Sequence, residues 1–291
     1  MQHRSTVAAN KYTMQHKTRV LVTGCNGFIG RNMVEWLAHQ GFEVDGWDWD
    51  PDKDNWPRVE LYDWVVHLGG LANETETDVE KVLKQNLDFS QWIFTQCNRA
   101  GVNLQYASSS AVYGDVRSAS EFSPCSPVGA FAWSKYLFDR WVFDQQQHVY
   151  VQGFRYFEVY GQYMGLRGPN ASVIYTWREQ ARKHGKIQVN NDAERQRGDF
   201  VWVGDVCRLH TDFINTVKGS GIWNCGTGLS HPYLDIAEEI AEQENAVIEV
   251  IDAAPCIVRP SSCADLTRLK ETVGRRKWLN VFEYLKYENG K

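Results

Sequence analysis

A short apolar strand, a glycine-rich turn and an amphipathic helix follow one another near the start of the chain, and this order constrains the fold more than any other feature. Residues 18–23 are predicted to form a buried strand, and Gly24, Gly27 and Gly30 punctuate the turn. Gly24 permits the tight turn, Gly27 lets a pyrophosphate approach the backbone, and Gly30 lets the helix pack on the strand. A helix that begins at such a turn offers free N–H groups and a partial positive charge, so the sequence predicts a phosphate-binding site.

A second strand, predicted over 42–47, ends at Asp48. An acidic side chain at this point accepts hydrogen bonds from the ribose hydroxyls of an adenosine and repels a 2′-phosphate. The cofactor is therefore expected to be NAD or NADP, and Asp48 favours NAD.

Further strands are predicted over 64–70, 102–107 and 150–157, and they alternate with helical segments. Strands that alternate with helices are typical of a parallel sheet with helices on both faces. The predicted fold class is therefore α/β: a Rossmann, doubly wound parallel sheet with a smaller C-terminal substrate lobe.

The same pattern predicts the domain organisation. We expect a disordered N-terminal extension over 1–17, and a dinucleotide-binding Rossmann domain over 18–165 that the chain rejoins at about 199–228. The remaining stretches, 166–198 and 229–291, are assigned to a substrate-binding lobe.

The composition excludes several classes of function. The 291 residues include 31 basic and 36 acidic side chains, a net charge of −5, which leaves no basic footprint for nucleic acid. No apolar run approaches the roughly 18 residues that a membrane helix requires, so no membrane partner is expected. No metal site is expected either. Seven cysteines, an odd number scattered along the chain, indicate reduced thiols and a cytoplasmic location.

Several longer motifs extend over most of the chain, from about Arg19 to Leu269. Together they resemble the extended short-chain dehydrogenases/reductases of the nucleotide-sugar epimerase type. Within that group the chain is most similar to the 6-epimerases of ADP-linked glycero-manno-heptose. The motifs are TGCNGFIG, YASSSAVYG, WSKYLFD, GFRYFEVYG, RGDFVWVGDV, GIWNCGTG and ADLTRLK.

The resemblance implies an activity, a cofactor and an assembly. Such enzymes hold NAD(P) tightly, take a hydride from a carbon of a nucleotide-linked sugar and return it to the other face, so the net reaction is an isomerisation. The resemblance also implies a homo-oligomer in which helices predicted over 79–100 and 131–148 pair with their copies. Besides the three glycines and Asp48, the residues implied to bind the dinucleotide are Asn26, Phe28, Ile29, Leu68, Gly69, Gly70, Asn86, Lys135 and Phe157.

The catalytic set of that family is a serine followed by Tyr-x-x-x-Lys, and this chain departs from it. Ser109 occupies the serine position, and Lys135 the lysine position, where an ammonium holds the nicotinamide ribose and lowers the pKa of a nearby phenol. The tyrosine position is Phe131. A phenyl ring cannot accept a hydroxyl proton, and a general base commonly contributes about 10² to 10⁴ in rate, so impaired or altered turnover is expected.

Two further departures lie in the region expected to bind the sugar. Arg167 occupies the position of a second base, a lysine in the heptose epimerases, and arginine stays protonated at neutral pH although it clamps phosphate well. Glu158 stands where relatives carry an asparagine and adds a carboxylate. The residues expected to contact the sugar nucleotide are Ser108, Ser109, Ser110, Glu158, Asn170, Arg195, Arg197 and Arg259.

A third departure concerns the sheet. Only 18 residues separate Asp48 from His67, which is too few for a helix and a further strand, because a crossover alone usually needs more than about ten residues. We therefore expect the sheet edge beside the adenine pocket to be trimmed.

Three explanations of Phe131 remain open at this point. In the first, Phe131 is an engineered substitution that traps a substrate complex. In the second, it is the natural residue of an enzyme that uses another base, such as Glu158 or a water held by Ser109. In the third, the protein binds a dinucleotide or a sugar nucleotide without catalysis. A sugar-nucleotide 4,6-dehydratase is disfavoured, because Ser110 and Ala111 stand where that branch carries an acidic pair.

Overall fold

The computed structural model describes residues 17–49, 56–252 and 262–289. The prediction of a disordered extension therefore falls, except for Lys17, outside the described residues, and so does Arg259. The strands are β1 (Arg19–Thr23), β2 (Glu43–Trp47), β3 (Trp64–His67), β4 (Asn103–Ser109), β5 (Val151–Tyr156), β6 (Glu158–Tyr160), β7 (Lys186–Asn190), β8 (Arg197–Gly198), β9 (Phe200–Trp202), β10 (Gly221–Cys225), β11 (His231–Pro232) and β12 (Val247–Ile251). The helices are α1 (Phe28–His39), α2 (Val79–Leu83), α3 (Phe89–Ala100), α4 (Gly129–Phe143), α5 (Val173–His184), α6 (Val203–Thr216), α7 (Tyr233–Glu244), α8 (Thr267–Val273) and α9 (Val281–Asn289).

Six of these strands form one parallel sheet in the order β10-β5-β4-β3-β1-β2. Both faces are covered by helices, which is why its central strands are continuous apolar runs rather than alternating ones. In β1, Val20 and Val22 pack in the core cluster that contains residues of α1 and α6. Leu21 points to the opposite face and packs with residues of α3 and α4. The predicted doubly wound α/β fold is confirmed.

The trimmed edge is also confirmed. In the part of the chain that the structure describes, β2 pairs only with β1, and the chain then returns to the other side of β1 as β3. A single short 3₁₀ turn, Val59–Leu61, lies between these strands in the described residues. Among the described residues, the edge beside the end of β2 therefore carries no extra strand of a longer crossover.

One predicted helix has the expected ends but is not continuous, and another was wrong at both of its boundaries. The helix predicted over 79–100 is interrupted by a π-helical turn at Lys84–Asp88. The helix predicted over 131–148 begins at Gly129 and ends at Phe143. At this end the carbonyls of Trp141 and Val142 accept from the backbone N–H groups of Asp144 and Gln145 in a last tight turn. They also accept from the side-chain amides of Gln145 and Gln147.

The C-terminal part of the chain builds a smaller lobe from two strand pairs. β7 pairs with β12 in parallel, and β8 with β11 in antiparallel orientation. Helices α5 and α7 pack against each other around the fully buried Trp177 and Tyr233. Helix α8 was assigned to this lobe but packs instead on β10 of the main sheet and on α6. The indole of Trp223 in β10 donates to Thr272 Oγ1 in α8 at 2.9 Å.

One buried carboxylate links the two lobes. Asp199, which is fully buried between β8 and β9, accepts hydrogen bonds from both the backbone N–H and the hydroxyl of Thr227, at 2.7 and 2.6 Å. It also accepts from the backbone N–H groups of Gly228 at 2.9 Å and Ala264 at 3.0 Å. One side chain therefore holds two separate segments, at residues 227–228 and at Ala264, against its own.

We expect Asp199→Asn to lower the free energy of unfolding by about 1–3 kcal/mol. An amide NH₂ cannot accept, so at least one buried N–H loses its partner, and that desolvation penalty has this size. Urea unfolding followed by circular dichroism measures the change. The matched control is Asp144→Asn, an exposed residue, which is expected to stay within about 0.5 kcal/mol of the wild type. Equal effects of the two substitutions would contradict the assigned role of Asp199.

Candidate active site

The glycine-rich turn between β1 and α1 has the geometry of a phosphate cradle. Gly24 adopts a φ of +73°, and a Cβ there would lie 2.7 Å from Gly69 Cα. A Cβ on Gly30 would collide with the carbonyl oxygen of Gly24, so both positions are fixed by packing. At Gly27 a Cβ would meet one atom within 4 Å, that same oxygen at 3.3 Å, and no side chain caps α1. The open face of the turn and the uncapped helix start therefore fit a dinucleotide pyrophosphate.

Asp48 lies at the end of β2, as predicted, and its carboxylate is anchored by the backbone. One oxygen accepts from the N–H of Asn26 at 2.9 Å, and the other accepts from the N–H of Trp49 at 2.8 Å. Each oxygen keeps a second lone pair for a ribose hydroxyl. The groove beside Asp48 has a volume of about 440 Å³. It is lined by Trp47, Asp48, Trp49, Gly69, Gly70, Asp78, Glu80, Lys81, Lys84, Gln85 and Phe89.

Sequence reasoning missed an aromatic cluster at this groove. Trp47 stacks on Phe89 with ring centroids 5.3 Å apart, and Trp56 lies 4.6 Å from Trp92. Trp49 contacts both Trp56 and Phe89 by ring edges. The rings cover the region that the trimmed edge leaves open. The signal was available in the sequence, because three tryptophans fall within ten residues around the end of β2.

A second cavity of about 220 Å³ adjoins this groove and shares Gly70 with it. It brings together the four predicted catalytic positions and most of the residues predicted for the dinucleotide, but only three of the eight predicted to contact the sugar nucleotide. Ala72, Leu166 and Tyr156 also line it and were not predicted. The predicted residues in its wall are Gly24, Gly27, Phe28, Ile29, Gly30, Leu68, Gly70, Ser108, Ser109, Phe131, Lys135, Phe157, Glu158 and Arg167.

Lys135 is the buried cation of this cavity. Its ammonium donates to the carbonyl of Ala107 at 3.0 Å. Burial lowers the pKa of Lys135 to about 8, against the opposing attraction of the Asp139 carboxylate one helical turn away. The ammonium lies 6.0 Å from the centroid of the Phe131 ring, so a hydroxyl on that ring would lie within its electrostatic reach.

No tyrosine among the described residues takes the place of the missing phenol. Tyr156 is the tyrosine that lines the cavity, but its hydroxyl is held by His210 Nε2 at 2.6 Å, and burial raises its pKa well above the usual value. The Tyr113 hydroxyl donates to Asn224 Oδ1 at 2.6 Å. Tyr136, the nearest tyrosine on α4, does not line the cavity.

The two serines at the end of β4 have different surroundings. Ser109 Oγ accepts from the N–H of Ala111 at 3.1 Å, so its own hydroxyl proton remains available to a substrate oxygen. Ser108 Oγ donates to Asp139 at 2.9 Å, and Arg155 donates to the same carboxylate oxygen at 2.9 Å. Ser109 therefore suits the predicted contact with a reacting sugar oxygen, whereas Ser108 belongs to a buried ionic network.

Glu158 and Arg167 form a charged part of the cavity wall. Glu158 begins β6, and its backbone N–H donates to the carbonyl of Asp199 at 2.9 Å. Burial raises the pKa of Glu158 to about 7, although the Arg167 guanidinium lowers it and Asp199 raises it further. Arg167 itself donates to the carbonyl of Ala72 at 2.9 Å and so joins the segment Met164–Asn170 to the loop after β3.

The remaining predicted residues lie outside this cavity. Asn86 holds the glycine loop from beneath: its amide accepts from the N–H of Leu71 at 2.7 Å and donates to Ser134 Oγ at 3.0 Å. Arg197 donates to both the hydroxyl and the carbonyl of Ser230. Ser110, Asn170 and Arg195 do not line the cavity either, and their contacts with a sugar nucleotide remain predictions.

Comparison with known proteins places this site in a family. The model of the NAD dependent epimerase/dehydratase family matches residues 20–226. The chain belongs to this family. Members of known name include an ADP-L-glycero-D-manno-heptose-6-epimerase of Brachyspira hyodysenteriae, 28% identical over 298 residues, which cover 90% of this chain and 94% of the relative. The enzyme of the same name from Thiobacillus denitrificans is 31% identical over 250 residues, 75% of each chain.

A solved structure supports the same placement. The UDP-glucose 4-epimerase of Thermus thermophilus in complex with NAD superposes with a TM-score of 0.78 at 26% identity, covering 94% of this chain and 98% of that one. This family member therefore has a nucleotide-sugar epimerase/dehydratase type of function and uses a nicotinamide dinucleotide. Within the described ranges, no helix is long and apolar enough to cross a membrane.

We expect Asp48→Ser to shift the cofactor preference from NAD towards NADP by at least about tenfold. The substitution removes a charged acceptor of ribose hydroxyls, whose hydrogen bonds contribute about 1.5–3 kcal/mol, and it removes the repulsion of a 2′-phosphate. Calorimetric titration with each dinucleotide measures the ratio. Asp45→Asn on the same strand, outside the groove, is the control. An unchanged ratio in Asp48→Ser would show that Asp48 does not select the cofactor.

Proposed function

We propose that this protein is a nucleotide-sugar epimerase that uses NAD and acts on ADP-glycero-manno-heptose at C6. The observation that carries the proposal is the cavity in which the phosphate cradle, Ser109, Lys135 and a charged substrate loop meet. The two heptose epimerases among the relatives support the choice of sugar. The enzyme would serve lipopolysaccharide-type sugar synthesis in the cytoplasm.

Each residue of the cavity has a definable task in such a reaction. NAD, when bound, supplies a reversible hydride acceptor. Lys135 is placed to hold the nicotinamide ribose, and Ser109 to donate to the oxygen of the reacting carbon. Arg167 is placed to bind an oxyanion or a phosphate, since its planar guanidinium matches both. Phe131 excludes water from the place where relatives carry a phenol.

The second candidate function is binding without catalysis, and Phe131 together with Arg167 favours it. Neither side chain accepts a proton at neutral pH, whereas the positions they occupy carry bases in the heptose epimerases. A binding protein would retain the dinucleotide and the sugar nucleotide but form no product. Incubation with ADP-D-glycero-D-manno-heptose and NAD, followed by NMR of the 6-epimer, separates the two functions.

We expect Phe131→Tyr to raise the rate of 6-epimer formation, by up to roughly 10²-fold where no other group serves as the base, which is the lower end of what a general base contributes. The new phenol would stand beside the Lys135 ammonium, which favours its ionised form. NMR measures the rate in both proteins. The control is Phe143→Tyr at the exposed end of α4, which is expected to leave the rate unchanged. No product from either the wild type or Phe131→Tyr would contradict the epimerase proposal and favour the binding protein.

We also propose that the protein is a homodimer through α3 and α4. The outer face of α4 carries Trp133 and Leu137, one helical turn apart, which are 46% and 38% exposed. Large apolar side chains in a row on one helix usually mark a contact surface. A second copy of the same face matches it, as a two-fold interface requires.

We expect the wild type to have twice the mass of the 33.5 kDa chain, and Leu137→Glu to have the mass of one chain. A carboxylate at the centre of an apolar interface is buried without a partner. Light scattering after size-exclusion chromatography measures both masses. Leu229→Glu, an exposed leucine away from α4, is expected to remain a dimer. A monomeric wild type would refute the proposed assembly.

A further inference from the structure

We propose that Glu158 is the group that accepts and returns the substrate proton in this chain. The inference rests on the proposed function, because it names the residue that takes over the task of the missing phenol. It assigns a chemical role to the carboxylate that stands where relatives carry an asparagine.

The pairing of β6 with β9 fixes the backbone position of Glu158. Its N–H donates to the carbonyl of Asp199 at 2.9 Å, and β6 pairs with β9 from Glu158 opposite Phe200. The side chain reaches the cavity wall that also contains Ser109, Phe131 and Lys135. A sugar that contacts Ser109 in a cavity of about 220 Å³ is therefore within reach of the carboxylate.

The charges around Glu158 suit a proton acceptor. Burial disfavours the ionised carboxylate and raises the pKa of Glu158 to about 7. The Arg167 guanidinium, from the segment Met164–Asn170, lowers this pKa, and the Asp199 carboxylate, just before β9, raises it. Across the same cavity, Lys135 is the other titrating group. A base works best when its pKa is close to the working pH, because both protonation states are then accessible.

The other polar groups that line the cavity are less suited to this task. Lys135 is held on the carbonyl of Ala107, and Arg167 donates to Ala72 and keeps its proton at neutral pH. The hydroxyl of Tyr156 is bound to His210. Ser109 has no adjacent imidazole or carboxylate hydrogen-bonded to its hydroxyl among the described contacts. Glu158 is the group in this wall that combines access with a suitable proton affinity.

The step balances with the groups named. The O–H bond of the reacting sugar carbon breaks and its proton passes to the Glu158 carboxylate, while the electron pair of the C–H bond leaves as the hydride for which the dinucleotide supplies the acceptor. A carbonyl forms. On return of the hydride to the opposite face, Glu158 gives the proton back to the carbonyl oxygen, and the carboxylate is regenerated without a further reactant.

The decisive variant is Glu158→Gln, which keeps the shape of the side chain and removes its basicity. We expect kcat for 6-epimer formation to fall by at least about 10²-fold, while KM and the affinity for NAD change less than threefold. In the wild type, kcat should decline as the pH falls through about 7, because protonation inactivates a base, and this limb should be absent from the residual rate of Glu158→Gln. In the double variant Phe131→Tyr/Glu158→Gln, the phenol should restore turnover.

A second readout does not depend on turnover. Calorimetric titration of ADP-glucose, whose doubly esterified diphosphate has no group that titrates near neutral pH, in buffers of different ionisation enthalpy measures the protons taken up on binding. A bound diphosphate beside Glu158 favours the protonated carboxyl, so the wild type should take up protons near pH 7 and Glu158→Gln should not. Glu283→Gln, an exposed residue of α9, is the matched control and should behave as the wild type does in both assays.

The outcomes separate this inference from the proposed function. If the wild type and Glu158→Gln turn over equally, Glu158 is not the base and the epimerase assignment stands. The same conclusion follows if only proteins with Phe131→Tyr form product. If neither the wild type nor Phe131→Tyr forms product, the epimerase assignment fails, and unchanged proton uptake in Glu158→Gln would then also remove the special role of Glu158.

Discussion

Strands that run parallel end at the same edge, and this constraint brings the whole site together. The carboxyl ends of β1, β3, β4 and β5 lie side by side, so the turn after β1, the glycine pair after β3, the serines of β4 and Glu158 after β5 share one cleft although they are far apart in sequence. Ligands of open α/β sheets bind in this crevice for the same reason. The helix α4 adds Lys135 and Phe131 from one face. The smaller lobe then needs to contribute only a loop that carries Arg167.

Much of this arrangement could be predicted from the sequence, because the signals are local. The glycine spacing from Gly24 to Gly30 depends on backbone geometry within one turn, and the apolar runs of β1 and β3 depend on burial of both sheet faces. The short stretch between Asp48 and His67 excluded an outer strand by length alone. These features follow from chain connectivity and do not require knowledge of distant contacts.

What could not be predicted depends on side chains that meet through the fold. Nothing in the sequence shows that the Tyr156 hydroxyl is bound by His210, 54 positions later, or that Arg167 reaches the carbonyl of Ala72. The aromatic groups around Trp49 were visible as composition, but their role became clear only when β2 proved to be an edge strand. The end of α4 at Phe143 was missed because it has no strong sequence signature: the side-chain amides of Gln145 and Gln147 donate to the last carbonyls of the helix, and glutamine is not a typical capping residue.

Burial acts on the two titrating groups of the cavity in opposite directions, lowering the pKa of Lys135 to about 8 and raising that of Glu158 to about 7. Each is partly opposed by one neighbouring charge, Asp139 for the lysine and Arg167 for the glutamate. The phenyl ring of Phe131 adds no polar group to this cavity, whereas the phenol that relatives carry at this position would add a hydroxyl. An arginine at position 167 stays protonated at neutral pH and so supplies a positive charge beside the cavity. Under the role that we propose for Glu158, the departures at positions 131, 158 and 167 are physically connected: the first removes a proton carrier, the second introduces another, and the third keeps the new carboxylate partly ionised. A single engineered substitution at Phe131 would leave the carboxylate at position 158 and the guanidinium at position 167 unexplained.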